Sequence, residues 1–125
     1  MPERFRPAAL PLALLWTLAL VVGLSLPGDE LPDLSVLSAD KLLHAGAFFG
    51  LGVLWLWAYP RAAGRILAAG LAFAVLSEVY QHLMPIDRLF SLYDALADAV
   101  GLALGLGAGT WWQRRRAAAS NFRGP

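Results

Sequence analysis

Apolar residues along the chain gather in four long blocks, approximately residues 8–26, 42–59, 66–83 and 92–112. Each is about 18 residues or longer, enough for a helix rising 1.5 Å per residue to cross roughly 30 Å of hydrocarbon. The blocks are apolar all round. A domain of 125 residues is too small to bury four such helices from water. The pattern therefore predicts an all-α integral membrane fold, a four-helix transmembrane bundle forming a single domain.

The breaks between blocks carry helix-ending chemistry. Pro27-Gly28 and Pro32 end the first helix and open an acidic loop, Tyr59-Pro60 closes the second, and Met84-Pro85 closes the third. Ser38 suits the N-cap of helix 2, with Asp40 in its first turn, and Ser91-Leu92-Tyr93-Asp94 has the S-x-x-D form of a capping box. Pro7 and Pro11 suit a helix start, with Pro11 bending or shortening the first turn. The tail from Ala117 is expected to be disordered. Trp16, Trp55, Trp57, Trp111 and Trp112 lie mostly toward block ends, as interfacial aromatics do.

Composition agrees: 58% of residues are hydrophobic and 15% charged, well to the apolar side of a soluble domain. Charge adds the topology. All of the ten basic residues except Lys41 and Arg88 precede block 1, lie between blocks 2 and 3, or follow block 4. By the positive-inside rule, both termini and the middle loop are cytoplasmic, and the protein is expected in a plasma membrane as a multi-pass chain. Block 1 read instead as a cleaved signal peptide, with Arg4 and Arg6 as its n-region, would still leave a membrane protein. The net charge is +1 and the basic residues are dispersed, which argues against nucleic-acid binding. With no cysteine there is neither a disulfide nor a thiolate metal site. No strong metal-ligand spacing stands out, and neither a metal nor a cofactor is expected.

Ionisable groups inside transmembrane blocks cost roughly 2.5–3.5 kcal/mol each and point to function. Here they are His44, Glu78, His82, Asp94 and Asp98, with Gln81 beside them. Counting turns places His44, Glu78 and Asp98 in one layer near the outer ends of helices 2, 3 and 4. On helix 4, Asp94 and Asp98 share a face with Gly101, Gly105 and Gly109, a G-x-x-x-G stripe for close packing within the chain or between copies. On helix 3, Gly70, Ala74, Ser77 and Gln81 form a stripe with Glu78 at its edge. His82 and Lys41 are read as interfacial, and Asp40 as a helix-start acid. The candidate ligand-binding set is His44, Glu78, Gln81, Arg88, Asp94 and Asp98.

Three stretches together resemble the VanZ-like family of bacterial membrane proteins. Asp40-Lys41-Leu42-Leu43-His44 is similar to the family's D-K-x-x-H opening of a helix. Glu78-Val79-Tyr80-Gln81, then Pro85, Arg88 and Asp94, follow its E-x-x-Q, P-x-x-R and later Asp. Asp94-Ala95-Leu96-Ala97-Asp98-Ala99-Val100-Gly101, with Gly105 beyond, supplies the third; many relatives carry Asn where Asp98 stands. The resemblance covers about residues 38–109. It implies a four-helix membrane protein whose named relatives are associated with low-level teicoplanin resistance; it implies no established reaction, and an effect on glycopeptide susceptibility belongs to the binding hypothesis below.

Several functions compete. In the first, the polar set binds an envelope lipid or cell-wall precursor headgroup, with Arg88 and Lys41 on phosphate and the carboxylates on hydroxyls or amines. In the second, the chain is a structural or partner-binding membrane subunit whose polar cluster joins helices. In the third, it is a membrane-embedded enzyme using His44 with Glu78 or Asp98 as acid and base, or holding a divalent metal with both carboxylates. A proton or ion pathway lacks ionisable residues in the inner half of the bundle. Membrane lipids, and a second copy of the chain, are the expected partners.

Overall fold

The computed structural model describes residues 5–25, 39–83 and 92–122. These form four helices, α1 (Leu10–Leu24), α2 (Ala39–Ala58), α3 (Ala63–Leu83) and α4 (Leu92–Phe122), and among the described residues there is no strand. The all-helical, four-element reading of the apolar blocks is thus met.

The ends differ from the apolar blocks for local reasons. The turn at Pro7–Ala9 delays α1 until Leu10, and Pro11 falls within its first two positions, where the missing N–H has no intrahelical acceptor to lose. Pro11 is thus accommodated inside the first turn, and the late start comes from the turn before it. α2 stops at Ala58, before Tyr59-Pro60, and α3 starts at Ala63, earlier than its apolar block, taking in Gly64 and Arg65. The largest correction concerns the tail. α4 continues through Arg114-Arg115-Arg116 and three alanines to Phe122, because Ala and Arg are strong helix formers and no Gly or Pro interrupts them. The caps expected at Ser38 and Ser91, and the breaks at Pro27, Pro32 and Pro85, lie outside the described residues.

Inter-helix contacts fix the directions. Gly101, Gly105 and Gly109 of α4 meet Ala45, Phe49 and Leu56 of α2 in the same order, so these two helices run parallel. Gly70 of α3 meets Leu102, and Glu78, two turns further on, stands beside Asp98, one turn further back, so α3 is antiparallel to α4. Arg6 N–H donates to Ala58 O, and Trp16 Nε1–H to Ala47 O, making α1 antiparallel to α2. The chain therefore runs up, down, up, down. One end gathers Arg6, Arg61, Arg65 and the α4 arginines; the other gathers His44, Glu78, Asp94 and Asp98.

α2 and α4 form the most extensive pairing, and α1 packs chiefly on α2. The buried apolar cluster comprises Phe48, Leu51 and Leu56 of α2, Ala74 of α3, and Leu102 and Leu106 of α4. Phe48 and Phe73 add a tilted ring pair with centroids 5.7 Å apart. Around this core the apolar surface faces outward: Leu15 and Leu18 on α1, Leu42 and Leu43 on α2, Val75 and Leu76 on α3, Leu96 and Leu104 on α4. By length and composition, Ala63–Tyr80 is long and apolar enough to cross a membrane, while the apolar parts of α1 and α2, Leu10–Gly23 and Leu42–Ala58, are shorter. Four spans were expected; among the described residues one helix meets that measure.

Candidate functional site

The site is built on the closest glycine-mediated helix contact among the described residues. A Cβ placed on Gly101 would run into the backbone carbonyl of Ala45, and one on Gly105 into that of Phe49. Only glycine allows α2 and α4 to approach backbone to backbone here. One turn before Gly101 stands Asp98; one residue before Ala45 stands His44. The close approach therefore brings their side chains together, and His44 Nδ1 and Asp98 Oδ1 share a 2.8 Å hydrogen bond.

Glu78 arrives from α3. The stripe Gly70, Ala74, Ser77 and Glu78 is buried, and Leu102 fills the space left by Gly70, so α3 presses its small-residue face onto α4. The result places one nitrogen or carboxylate oxygen from each of His44, Glu78 and Asp98 within 4.8 Å of one another. Their depth is one to two turns inside the helix ends, about 7–9 Å at 1.5 Å per residue. Glu78 and Asp98 are 0% exposed and His44 8%. None is isolated: all three, and Asp94, take part in polar or electrostatic interactions.

Two carboxyl groups sealed from water beside one imidazole need their charge balanced by protons, by the imidazolium or by a cation. Chemically the trio can hold and relay a proton, or offer one nitrogen and two oxygen donors to an ion. Asp94 sits half-buried in the first turn of α4, where the helix dipole favours a carboxylate. Asp94 is one turn nearer the end than Asp98, at the rim of the centre. Gln81 lies in the same helical turn of α3 as Glu78, but its side chain, like that of His82, is outside the described residues. Arg88 and Asp87 lie outside them altogether, as do the side chains of Asp40 and Lys41.

Two residues with a definite role escaped the polar-cluster reading. Trp16 donates to Ala47 O at 2.8 Å, and Trp55 donates to Thr17 Oγ1 at 2.9 Å. Both act as fasteners between α1 and α2. Their signal was present, since an indole N–H within an apolar helix needs an acceptor. Trp111 is exposed on α4, with the Arg115 guanidinium 5.0 Å from its ring centre. Two clefts lie at the arginine-rich end, one of about 250 Å³ bordered by Arg6, Trp57, Trp112 and Arg116 and one bordered by Gly64, Trp111 and Arg114.

No family model matches the sequence, and no curated protein or solved structure matches it either.

Proposed function

We propose that this chain is a multi-pass protein of the bacterial plasma membrane, of the VanZ-like type, whose outer polar centre binds the headgroup of an envelope lipid or cell-wall precursor. Both termini are cytoplasmic. The membrane reading is supported by an inverted distribution of polarity. The ionisable side chains of Glu78 and Asp98 sit at 0% exposure between the helices while leucines and valines face outward. The segment Ala63–Tyr80 is only 22% buried within the molecule, whereas a core helix of a soluble protein is mostly covered. A soluble monomer rarely exposes contiguous apolar surface of more than a few hundred Å². The gathering of arginines at one end fits the cytoplasmic side.

The headgroup reading is carried by one observation, the convergence of His44, Glu78 and Asp98 from three helices at the end opposite the arginines. Their burial makes them the floor of the site: Asp98 fixes His44, and Glu78 completes the layer. Asp94, one turn nearer the helix end, is the described residue at the rim; in this reading the sequence candidates Gln81 and Arg88 join it in meeting the headgroup, Arg88 on phosphate and the others on hydroxyls or amines. Occupancy of such a site changes the outer-surface lipid that an amphiphilic glycopeptide encounters, which is the route to an effect on susceptibility.

Topology is tested through the cysteine-free sequence. Single cysteines at Ser25 and Ser120 are expected to label with a membrane-impermeant thiol reagent from opposite sides of intact cells and inverted vesicles. Labelling of both from the same side refutes the bundle. For the site, native mass spectrometry from a gentle detergent is expected to find an envelope lipid on the wild type that is lost on Asp94→Asn or Arg88→Gln at unchanged membrane abundance. Equal lipid retention by these variants refutes headgroup binding. Loss of abundance and phenotype together in Glu78→Gln and Asp98→Asn supports a purely structural centre instead.

A further inference from the structure

We propose that His44, Glu78 and Asp98 form a binding site for one divalent transition-metal ion of the zinc or cobalt class. Geometry comes first. Donor atoms bound to a common ion at about 2.0–2.2 Å stand roughly 3.0–3.6 Å from each other. The candidate donors of the three residues all lie within 4.8 Å, so a contraction of about an ångström, within reach of the Glu78 side-chain torsions, closes the set. His44 Nδ1 and Asp98 Oδ1, at 2.8 Å, already stand close to the separation of neighbouring ligands. An ion between them takes the seat of the hydrogen-bond proton, which leaves as the ion binds.

Charge and donor type then narrow the ion. Two carboxylates at 0% exposure beside an imidazole balance the charge of a dication, with the imidazole as neutral donor. One nitrogen and two oxygens suit borderline divalent ions; calcium takes six to eight oxygens, and the soft thiolate sites of Cu(I) have no counterpart in a chain without cysteine. The frame is rigid where it matters, because the glycine contact between α2 and α4 lies within one turn of both His44 and Asp98. His44 keeps 8% exposure where the two carboxylates have none. Three protein ligands leave coordination positions for water or another oxygen donor. That such a donor be a lipid phosphate rests on the headgroup reading; binding of the ion does not.

The test uses the full chain in a mild detergent, stripped with EDTA and titrated with micromolar Zn²⁺ or Co²⁺. The expected result is one ion per chain, visible ligand-field bands for Co²⁺ bound through nitrogen and oxygen, and a raised unfolding temperature. Glu78→Gln and Asp98→Asn are each expected to weaken binding by about 100-fold or more, beyond what outer-shell changes cost. His82→Gln, which removes the other histidine of the sequence, retains the ion. Fewer than one ion per ten wild-type chains, or absence of Co²⁺ bands, overturns the proposal without any variant having to fold. Stoichiometric binding that survives Glu78→Gln and Asp98→Asn overturns it too. Lipid retention is read separately, so an ion-free chain that still holds its lipid overturns the ion site alone.

Discussion

α2 is gripped on two sides by opposite means. Against α4 the contact depends on missing side chains: Gly101 and Gly105 let the backbone of α4 rest on the carbonyls of Ala45 and Phe49. Against α1 it depends on large side chains, with Trp16 and Trp55 each delivering an indole N–H across the interface. Trp16 also sits over Gly50, where a Cβ would come within 2.6 Å of its ring. The glycine seam holds the buried centre; the tryptophan seam holds a helix that adds no member to the His44–Glu78–Asp98 trio. Close backbone packing is unforgiving and fixes geometry to a fraction of an ångström. Tryptophan fasteners tolerate more movement, which suits a scaffold.

The comparison breaks most sharply at Gly101. Gly101→Ala should cost about 3 kcal/mol, the upper end of overpacking, because the obstructing atoms are backbone and cannot rotate away. Retained cooperative unfolding at wild-type stability in an SDS titration of mixed micelles would show that the seam is not as tight as described. Next comes Asp98→Ala, which removes the 2.8 Å partner of buried His44 Nδ1 and should destabilise by about 1–3 kcal/mol in the same titration. Asp98→Asn, able to keep a hydrogen bond, should cost less. If the two substitutions are equal, the 2.8 Å bond contributes nothing.

On the other seam, Trp55→Phe and Thr17→Val should each cost about 1 kcal/mol. The double variant should cost less than the two added together, because both remove one hydrogen bond; simple additivity would dissolve the fastener. The smallest effect has the opposite sign. Gly107 lies on α4 between the stripe glycines, exposed, and a Cβ there meets nothing within 4 Å. Gly107→Ala should therefore stabilise by up to about 1 kcal/mol through helix propensity. A destabilising Gly107→Ala would reveal a second packed face of α4.

Much of the candidate site was legible because helices obey fixed periods. The period of 3.6 put Asp98 in phase with Gly101 and Gly105, and 1.5 Å per residue put His44, Glu78 and Asp98 at one depth. The alternating hydropathy and arginine pattern also implied the alternating directions seen in the contacts. What could not be read was which partner each face meets. The stripe Gly101, Gly105 and Gly109 fits a neighbour in the same chain as well as a second copy, since both present the same small-residue groove. Trp16 and Trp55 looked interfacial from their places in the blocks, because position along a helix does not reveal an acceptor 38 residues away. The helical tail was misjudged from its place at the chain's end, although its alanines and arginines favoured a helix.

The sequence by itself determined four helices, their approximate breaks, the segregation of arginines and the layer in which polar groups gather. These follow from local propensity, block length and periodicity, which need no knowledge of neighbours. Only the tertiary structure decided that α2 and α4 close on the glycine seam. It also decided that His44 pairs with Asp98, that Glu78 is sealed in beside them, and that three donors stand within reach of one ion. Those outcomes depend on helix rotation and separation to about an ångström, and such distances are set by the packing of whole faces against one another.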